Sequence, residues 1–242
     1  MPIFSIKGPV NQEGRFALSQ EDVHHLSTVL RVPFGGRFKA IDLEGKKYLA
    51  YFIEEKGQSF GQVWENLEGR VVSRLPLHLA VSLIRWSRLE FLIEKATELG
   101  VMEISLLTTT YTKHQDIQKI SINKINRLNK ISKETLKQCE RPLAPTIHPP
   151  QTLKLWLQGL KSPPQGRLHF DEKITEPLLS PKLFEKETYY TFILGPEGGF
   201  HEEERQAIQE AKFRPFSLGG ALLRMETAAL YGASLLKGSL GI

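Results

Sequence analysis

FILGPEGGFHEEE, residues 192–204, is the stretch on which the reading of this chain turns. Its apolar start reads as a strand, Gly195 to Gly199 as a glycine turn, and the three glutamates after His201 as the opening of a helix. A turn in this setting is a common nucleotide site, because free backbone N–H groups and the positive end of the helix dipole attract an anion. Here the turn is acidic. Glu197 lies inside it, and Glu202, Glu203 and Glu204 already complement the dipole, so a phosphate would be repelled and a cationic or neutral ligand fits better. A P-loop needs Lys and Ser or Thr after its last glycine, and the dinucleotide fingerprint needs G-x-G-x-x-G; neither is present.

A second turn lies two dozen residues on, in SLGGALLRMETAAL, Ser217 to Leu230. Gly219 and Gly220 leave a short strand, and Arg224, Glu226 and Thr227 follow at the start of a helix. Open parallel sheets bind ligands beyond the carboxyl ends of their strands, so the turns after Leu194 and Leu218 are expected to face one site. Two readings of the polar trio stay open at this point: an exposed ion pair with Thr227 as a cap, or the polar groups of that site. Ala228, Ala229, Gly232 and Ala233, three to four apart, would let another backbone approach, from within the chain or from a second copy.

Working outward, residues 1 to about 72 alternate short apolar stretches with turn signals. Phe38 and Ala40, then Tyr48, Ala50 and Phe52, recur at period two around Glu44-Gly45, which indicates a β-rich module. One helix interrupts it, from Ser19 to Arg31. From residue 73 the rhythm changes to alternating strands and helices. LHLAVSL is a buried strand, SRLEFLIEKATELG a helix with a Ser87/Glu90 capping box and Gly100 at its end, and VMEISLL a strand. Helices near 119–139 and 152–158, the strands RLHF and YYTFIL, the helix HEEERQAIQEA, the strand FSL and a last helix from about Leu222 complete the pattern. This implies an α/β domain with a mostly parallel sheet.

The 242 residues suffice for two modest domains, and 40% hydrophobic with 24% charged residues is an ordinary globular balance. No apolar run approaches the ~18 residues of a membrane span, and MPIFSIKGPV lacks a signal peptide's apolar centre, so a cytoplasmic protein is expected. The single Cys139 cannot form an internal disulfide, and the seven histidines show no H-x-x-x-H or other ligand spacing, so no metal site is expected. Net charge is +5 with pI near 9.2, which suits a polyanionic partner. At about 100° per residue, Arg127, Lys130, Lys133, Lys137 and Arg141 form a cationic stripe opposite Ile122, Ile125, Leu128, Ile131 and Leu136. The stripe is either a solvated face or, with Arg31, Arg37, Lys39, Arg85, Arg88 and Lys113, a track for RNA phosphates, with Tyr111 and Phe34 available to stack bases.

ILGPEGGF followed by LGGALLRMETAAL resembles the paired signature of the RsmE family, the uracil-N3 methyltransferases of small-subunit ribosomal RNA, in the SPOUT superfamily. HHLSTVLR (24–31), EKATELGV (94–101) and KQCERPLAP (137–145) resemble its remaining motifs, so the resemblance covers most of the chain. It implies a PUA-like RNA-binding β-barrel over residues 1–72 and a SPOUT α/β domain over 73–242, with a deep trefoil knot at about 190–242. It also implies a homodimer acting on 16S rRNA of the small subunit, and S-adenosylmethionine as cofactor. The cofactor would be held by Phe170, Leu194, Gly195, Pro196, Glu197, Gly198, Gly199, Leu218, Gly219, Leu222, Leu223 and Thr227. Arg224 and Glu226 would be catalytic, Arg224 by offsetting negative charge on the uracil oxygens and Glu226, or a water it orients, as base. RNA would meet Arg31, Arg85, Lys113, Arg127, Lys130, Lys133, Lys137 and Arg141. The chain departs from the family pattern at Arg85, where many members have Lys, and at Thr110-Tyr111, where they have Glu-Arg. A SPOUT enzyme for transfer RNA and a silent RNA-binding protein are the competing readings; the intact Arg224-Met225-Glu226-Thr227 speaks against the latter.

Overall fold

The computed structural model describes residues 3–6, 8–67, 73–118, 120–161, 163–186 and 188–242, with the side chains of Lys137 and Pro164 outside the description. It forms two compact units, Met1–Ser73 with Glu134–Ala144, and Arg74–Lys133 with Pro145–Ile242. The boundary expected at 72/73 adjoins residues 68–72, which lie outside the described residues. Residues 134–144, expected in the second domain, group with the first.

The first unit contains β1 (Ile3–Ser5), β2 (Arg15–Ala17), α1 (Gln20–His24), β3 (Arg37–Ile41), β4 (Lys47–Glu55) and β5 (Gln58–Leu67). The sheet order is β1-β3-β4-β5-β2, with β1 parallel to β3 and the other pairs antiparallel. Period two holds: Phe38, Ala40, Tyr48, Ala50 and Phe52 are all buried, together with Phe4, Ile6, Phe16 and Leu26. Phe16 lies across Gly61 of β5, where an added methyl would stand 2.0 Å from the ring, so only glycine fits. The helix expected through Arg31 is shorter. The Ser19/Asp22 box starts α1, which passes into a π turn at His25–Val29 and stops before Arg31 at φ 53°. Lys47 Nζ meets Glu140 Oε2 at 2.5 Å and Arg141 donates to the Ser73 carbonyl at 3.0 Å, which ties 134–144 to this unit.

The second unit contains β6 (Leu75–Ser82), α2 (Trp86–Leu99), β7 (Val101–Thr108), α3 (His114–Gln118), α4 (Ile122–Cys139, its end in the first unit), β8 (Thr146–Thr152), α5 (Leu153–Gln158), β9 (Arg167–Phe170), β10 (Tyr190–Leu194), α6 (Glu202–Glu210), β11 (Arg214–Phe216) and α7 (Met225–Leu240). All strands run parallel in the order β11-β9-β10-β6-β7-β8. Both faces are covered, as a parallel sheet requires. Leu77, Leu79 and Val81 join α2 and α7 in one core, while Ala80, Leu107 and Ile193 pack with Trp156 of α5 and Ile208 of α6 in the other.

Several local expectations shift. The Ser87/Glu90 box is absent: α2 starts at Trp86 with Arg85 as its cap residue, and the Glu90 carboxylate is instead bound by Arg127 at 2.5 and 3.1 Å. Gly100 does end the helix, at φ 87°. The strand β8 went unforeseen because TIHPPQT carries two prolines, which an outer strand tolerates since one side of it needs no ladder bonds. The FSL strand lies slightly earlier, at Arg214–Phe216, and the last helix begins at Met225.

Candidate functional site

Strands β10 and β11 flank β9, so the turns that follow them emerge side by side at the carboxyl end of the sheet. They enclose a cavity of about 530 Å³, lined by both turns and by Phe170, Asp171 and Glu172 at the end of β9. Of the residues expected to hold a ligand, Phe170, Leu194, Gly195, Pro196, Glu197, Leu218, Gly219, Leu222 and Leu223 line it, and so does Arg224. Gly198, Gly199 and Thr227 do not. Gly198 faces Tyr111, Thr227 is exposed on α7, and Gly199, at φ 69°, turns towards Glu172, whose Oε1 would stand 2.3 Å from an added methyl. Gly219 has φ 116° and open space where a side chain would be, so backbone forms the wall there.

The polar rim is a connected set. Glu197 is bonded by Arg88 Nη1 and, at 2.7 Å, by Lys113 Nζ; Lys113 and then Arg88 hold its carboxyl below the usual range. Glu226 lies behind the cavity wall, only 6% exposed. Its Oε1 is 3.8 Å from Arg88 Nε and its Oε2 has no hydrogen-bond partner. The guanidinium near Glu226 is therefore Arg88, while Arg224 stands exposed as the cap residue of α7. The Asp171 side chain is fully enclosed. Burial alone would raise its pKa, but Arg205 at 2.9 and 3.1 Å and the Lys173 N–H at 3.0 Å hold it well below the carboxylate range. His169 Nε2, at 3.7 Å, is too distant for a hydrogen bond.

The small-residue stripe of α7 packs inward, with Gly232 against Phe170 and Phe192. Leu222 and Tyr231 are exposed, at 84% and 44%.

Among the expected RNA contacts, Arg31, Arg85, Lys113, Arg127, Lys130 and Lys133 are exposed, while the Lys137 side chain is outside the described residues. Arg141 is a correction. It follows the end of α4, beyond Glu140 at φ 52°, and is 5% exposed with its guanidinium on the Ser73 carbonyl, so it is off the stripe and inside its unit. Where the family pattern departs, the Thr110 N–H donates to Glu204 Oε1 at 2.8 Å and Tyr111 lies beside His201, both exposed next to the first glycine turn. In the first unit, Arg37 lies over Tyr51, which meets the exposed Trp64 edge-on, a cation–aromatic patch that sequence reading passed over because β-strand alternation alone does not mark which aromatics face outward.

A further group has no ligand spacing along the sequence, because strand register alone brings it together. His78, Glu103 and His148 sit on β6, β7 and β8, with one possible ligand atom of each within 4.8 Å of the others. Burial lowers His78 to about 4, so its ring is neutral at pH 7. The Glu103 carboxyl is raised by burial but lowered further by bonds from Tyr189 and His148, and burial with Glu103 pushes the Tyr189 phenol well up.

A family model described as the RNA methyltransferase domain matches residues 72–237. Among curated relatives, ribosomal RNA small subunit methyltransferase E of Buchnera aphidicola is 28% identical, over 100% of this chain and 94% of its own length. A Legionella pneumophila protein solved in complex with the bound cofactor SAM is 26% identical with a TM-score of 0.73, covering 98% of this chain and 97% of its own. Ribosomal RNA small subunit methyltransferase E of Neisseria gonorrhoeae, solved bound to S-adenosyl methionine, shares the fold at 23% identity and a TM-score of 0.75, covering 98% of this chain and 97% of its own.

Proposed function

The chain belongs to the RNA methyltransferase family, and on that premise we propose that it is a small-subunit ribosomal RNA methyltransferase of the RsmE kind, using S-adenosylmethionine to methylate N3 of a uridine in 16S rRNA. The observation that carries this is the convergence of two glycine turns on one cavity with a guanidinium, Arg224, at its rim.

The residues present fit that cofactor. About 530 Å³ falls within the ~300–1,000 Å³ usual for ligand sites. Phe170, Leu194, Phe216 and Leu218 offer apolar walls to a purine, and the backbone at Gly195 and Gly219 offers main-chain polar groups. Asp171 and Glu172 at the end of β9 suit a ligand that carries an ammonium and a sulfonium in place of phosphates. Bound there, S-adenosylmethionine would supply a methyl group on positively charged sulfur.

Methylation of N3 requires loss of the imide proton while negative charge spreads onto O2 and O4. Arg224, exposed at the cavity rim, is the group to hold that charge. Glu226 reaches the rim only through Arg88, so its part is to fix Arg88 and, by way of a water, to accept the proton. Holding the base against the methyl donor supplies much of the remaining acceleration. RNA would be drawn by Arg85, Lys113, Arg127, Lys130 and Lys133 in one unit and by Arg31, Arg37 and Trp64 in the other.

The finer architecture belongs to the same proposal: a PUA-like barrel in the first unit, a trefoil knot over about 190–242, a homodimer and a cytoplasmic location. The parallel bridge of Leu178 to Ser217 supports close threading, and exposed Leu222 and Tyr231 offer a contact for a second copy. No helix among the described residues is long and apolar enough to cross a membrane. The test is incubation with methyl-labelled S-adenosylmethionine and either small ribosomal subunits or transfer RNA, followed by nucleoside analysis. Label at uridine N3 of 16S rRNA is expected; label in transfer RNA alone overturns the proposal.

A further inference from the structure

Three neighbouring strands each contribute one metal-ligating side chain to the same side of the sheet. Register explains it. His78 pairs with Glu103, and His148 pairs with Ser105, two residues beyond Glu103 and so on the same face. We infer that His78, Glu103 and His148 bind one transition-metal dication of the zinc class, at a site separate from the cavity at the strand ends.

The donor set is two imidazoles and a carboxylate, the ligand complement of a zinc site with a fourth position for water. A tetrahedral ion with bonds of ~2.0–2.1 Å needs ligand atoms roughly 3.3 Å apart. His148 Nε2 and Glu103 Oε2 stand at 2.8 Å, and all three ligand atoms lie within 4.8 Å of one another, so small side-chain rotations close the set. On binding, the ion takes the place of the proton on His148 Nε2 that faces Glu103 Oε2 at 2.8 Å.

The surroundings hold the ligands as outer partners hold them in metal sites. Tyr189 donates to the second carboxylate oxygen of Glu103 at 2.5 Å, which leaves Oε2 on His148. Ser105 Oγ, bonded by Trp156 Nε1 at 3.2 Å, lies 2.8 Å from His78 Nε2 and fixes that ring. The two imidazoles stand with centroids 5.6 Å apart, close enough for one cation to lie between them. His148 and Glu103 keep side-chain exposures of 35% and 36%, so an ion has a path in. The site lies in the first half of β7 and β8, whereas the cavity lies beyond the ends of β9, β10 and β11. A cation here would clamp three strands without entering the methyl-transfer site.

The test uses the full-length, untagged protein, stripped with a chelator and titrated with zinc chloride by calorimetry, then with cobalt(II) for visible absorption. One equivalent of zinc, cobalt d–d bands and a thermal midpoint that rises with zinc are expected. His148→Ala abolishes all three, and Glu103→Gln, which keeps the side chain's size, does so where the alanine variant fails to fold. Tyr189→Phe retains the ligands and weakens zinc binding by about 10- to 100-fold. The inference is overturned if the wild-type chain takes up no zinc, or if His148→Ala or Glu103→Gln binds it with undiminished affinity.

Discussion

Where β10 and β11 run out, the sheet hands its work to turns, and backbone shapes a cavity whose rim carries Arg88, Glu197 and Arg224. Along β6, β7 and β8 the polar groups are instead side chains held by register, bonded to one another through Ser105, Trp156 and Tyr189. The first arrangement leaves charged groups half free at a solvent-open wall; the second satisfies its groups internally and keeps a partial opening. Groups that meet a transient, charge-changing substrate need that freedom, whereas groups that brace strands do not.

The comparison can be broken or sharpened by substitution. Arg205→Ala leaves Asp171 enclosed without its guanidinium, so about 3–5 kcal/mol of stability should be lost by denaturant titration. Because Asp171 has a depressed pKa when folded, its contribution is complete above the ordinary carboxylate range and fades as pH falls through its folded value. In Arg205→Ala the fading should be smaller and complete at a higher pH, visible in thermal midpoints across an acid series. Arg224→Ala should lower methyl transfer by about 10²–10³-fold with cofactor affinity retained, measured by label incorporation and calorimetry; full activity would remove Arg224 from the chemistry. On the register-held side, Ser105→Ala orphans Trp156 Nε1 and should cost about 1–3 kcal/mol in urea unfolding without changing the slope. At the turn, Gly199→Ala places a β-carbon at φ 69° against Glu172, for about 1–2 kcal/mol and weaker cofactor binding. Lys113→Ala removes an exposed partner of Glu197 and should alter stability by under about 1 kcal/mol, while NMR titration shows Glu197 moving towards the ordinary carboxylate range.

Local signals were legible wherever a few consecutive residues decide the outcome. The two glycine turns, the acidic first turn of α6, the Gly100 cap and the period-two burial of β3 and β4 all follow from backbone sterics and alternation within short windows. Legibility failed where a distant group competes. Glu90 has the spacing of a capping box, yet Arg127 takes it from another helix. Arg141 has the spacing of a helical stripe, yet the chain leaves the helix at Glu140 and the Ser73 carbonyl claims the guanidinium.

By itself, the sequence determined the alternation of strands and helices, the acidic character of the nucleotide-like turn, and the family motifs that name a methyl donor. Only the tertiary structure decided that Arg88 and not Arg224 stands beside Glu226, that Gly199 and Thr227 do not line the cavity, and that His78, Glu103 and His148 meet. The reason is physical. Short-range spacing fixes which face of one element a residue occupies, but the neighbour it finds there depends on strand order and register, and these are set by burial across the whole sheet.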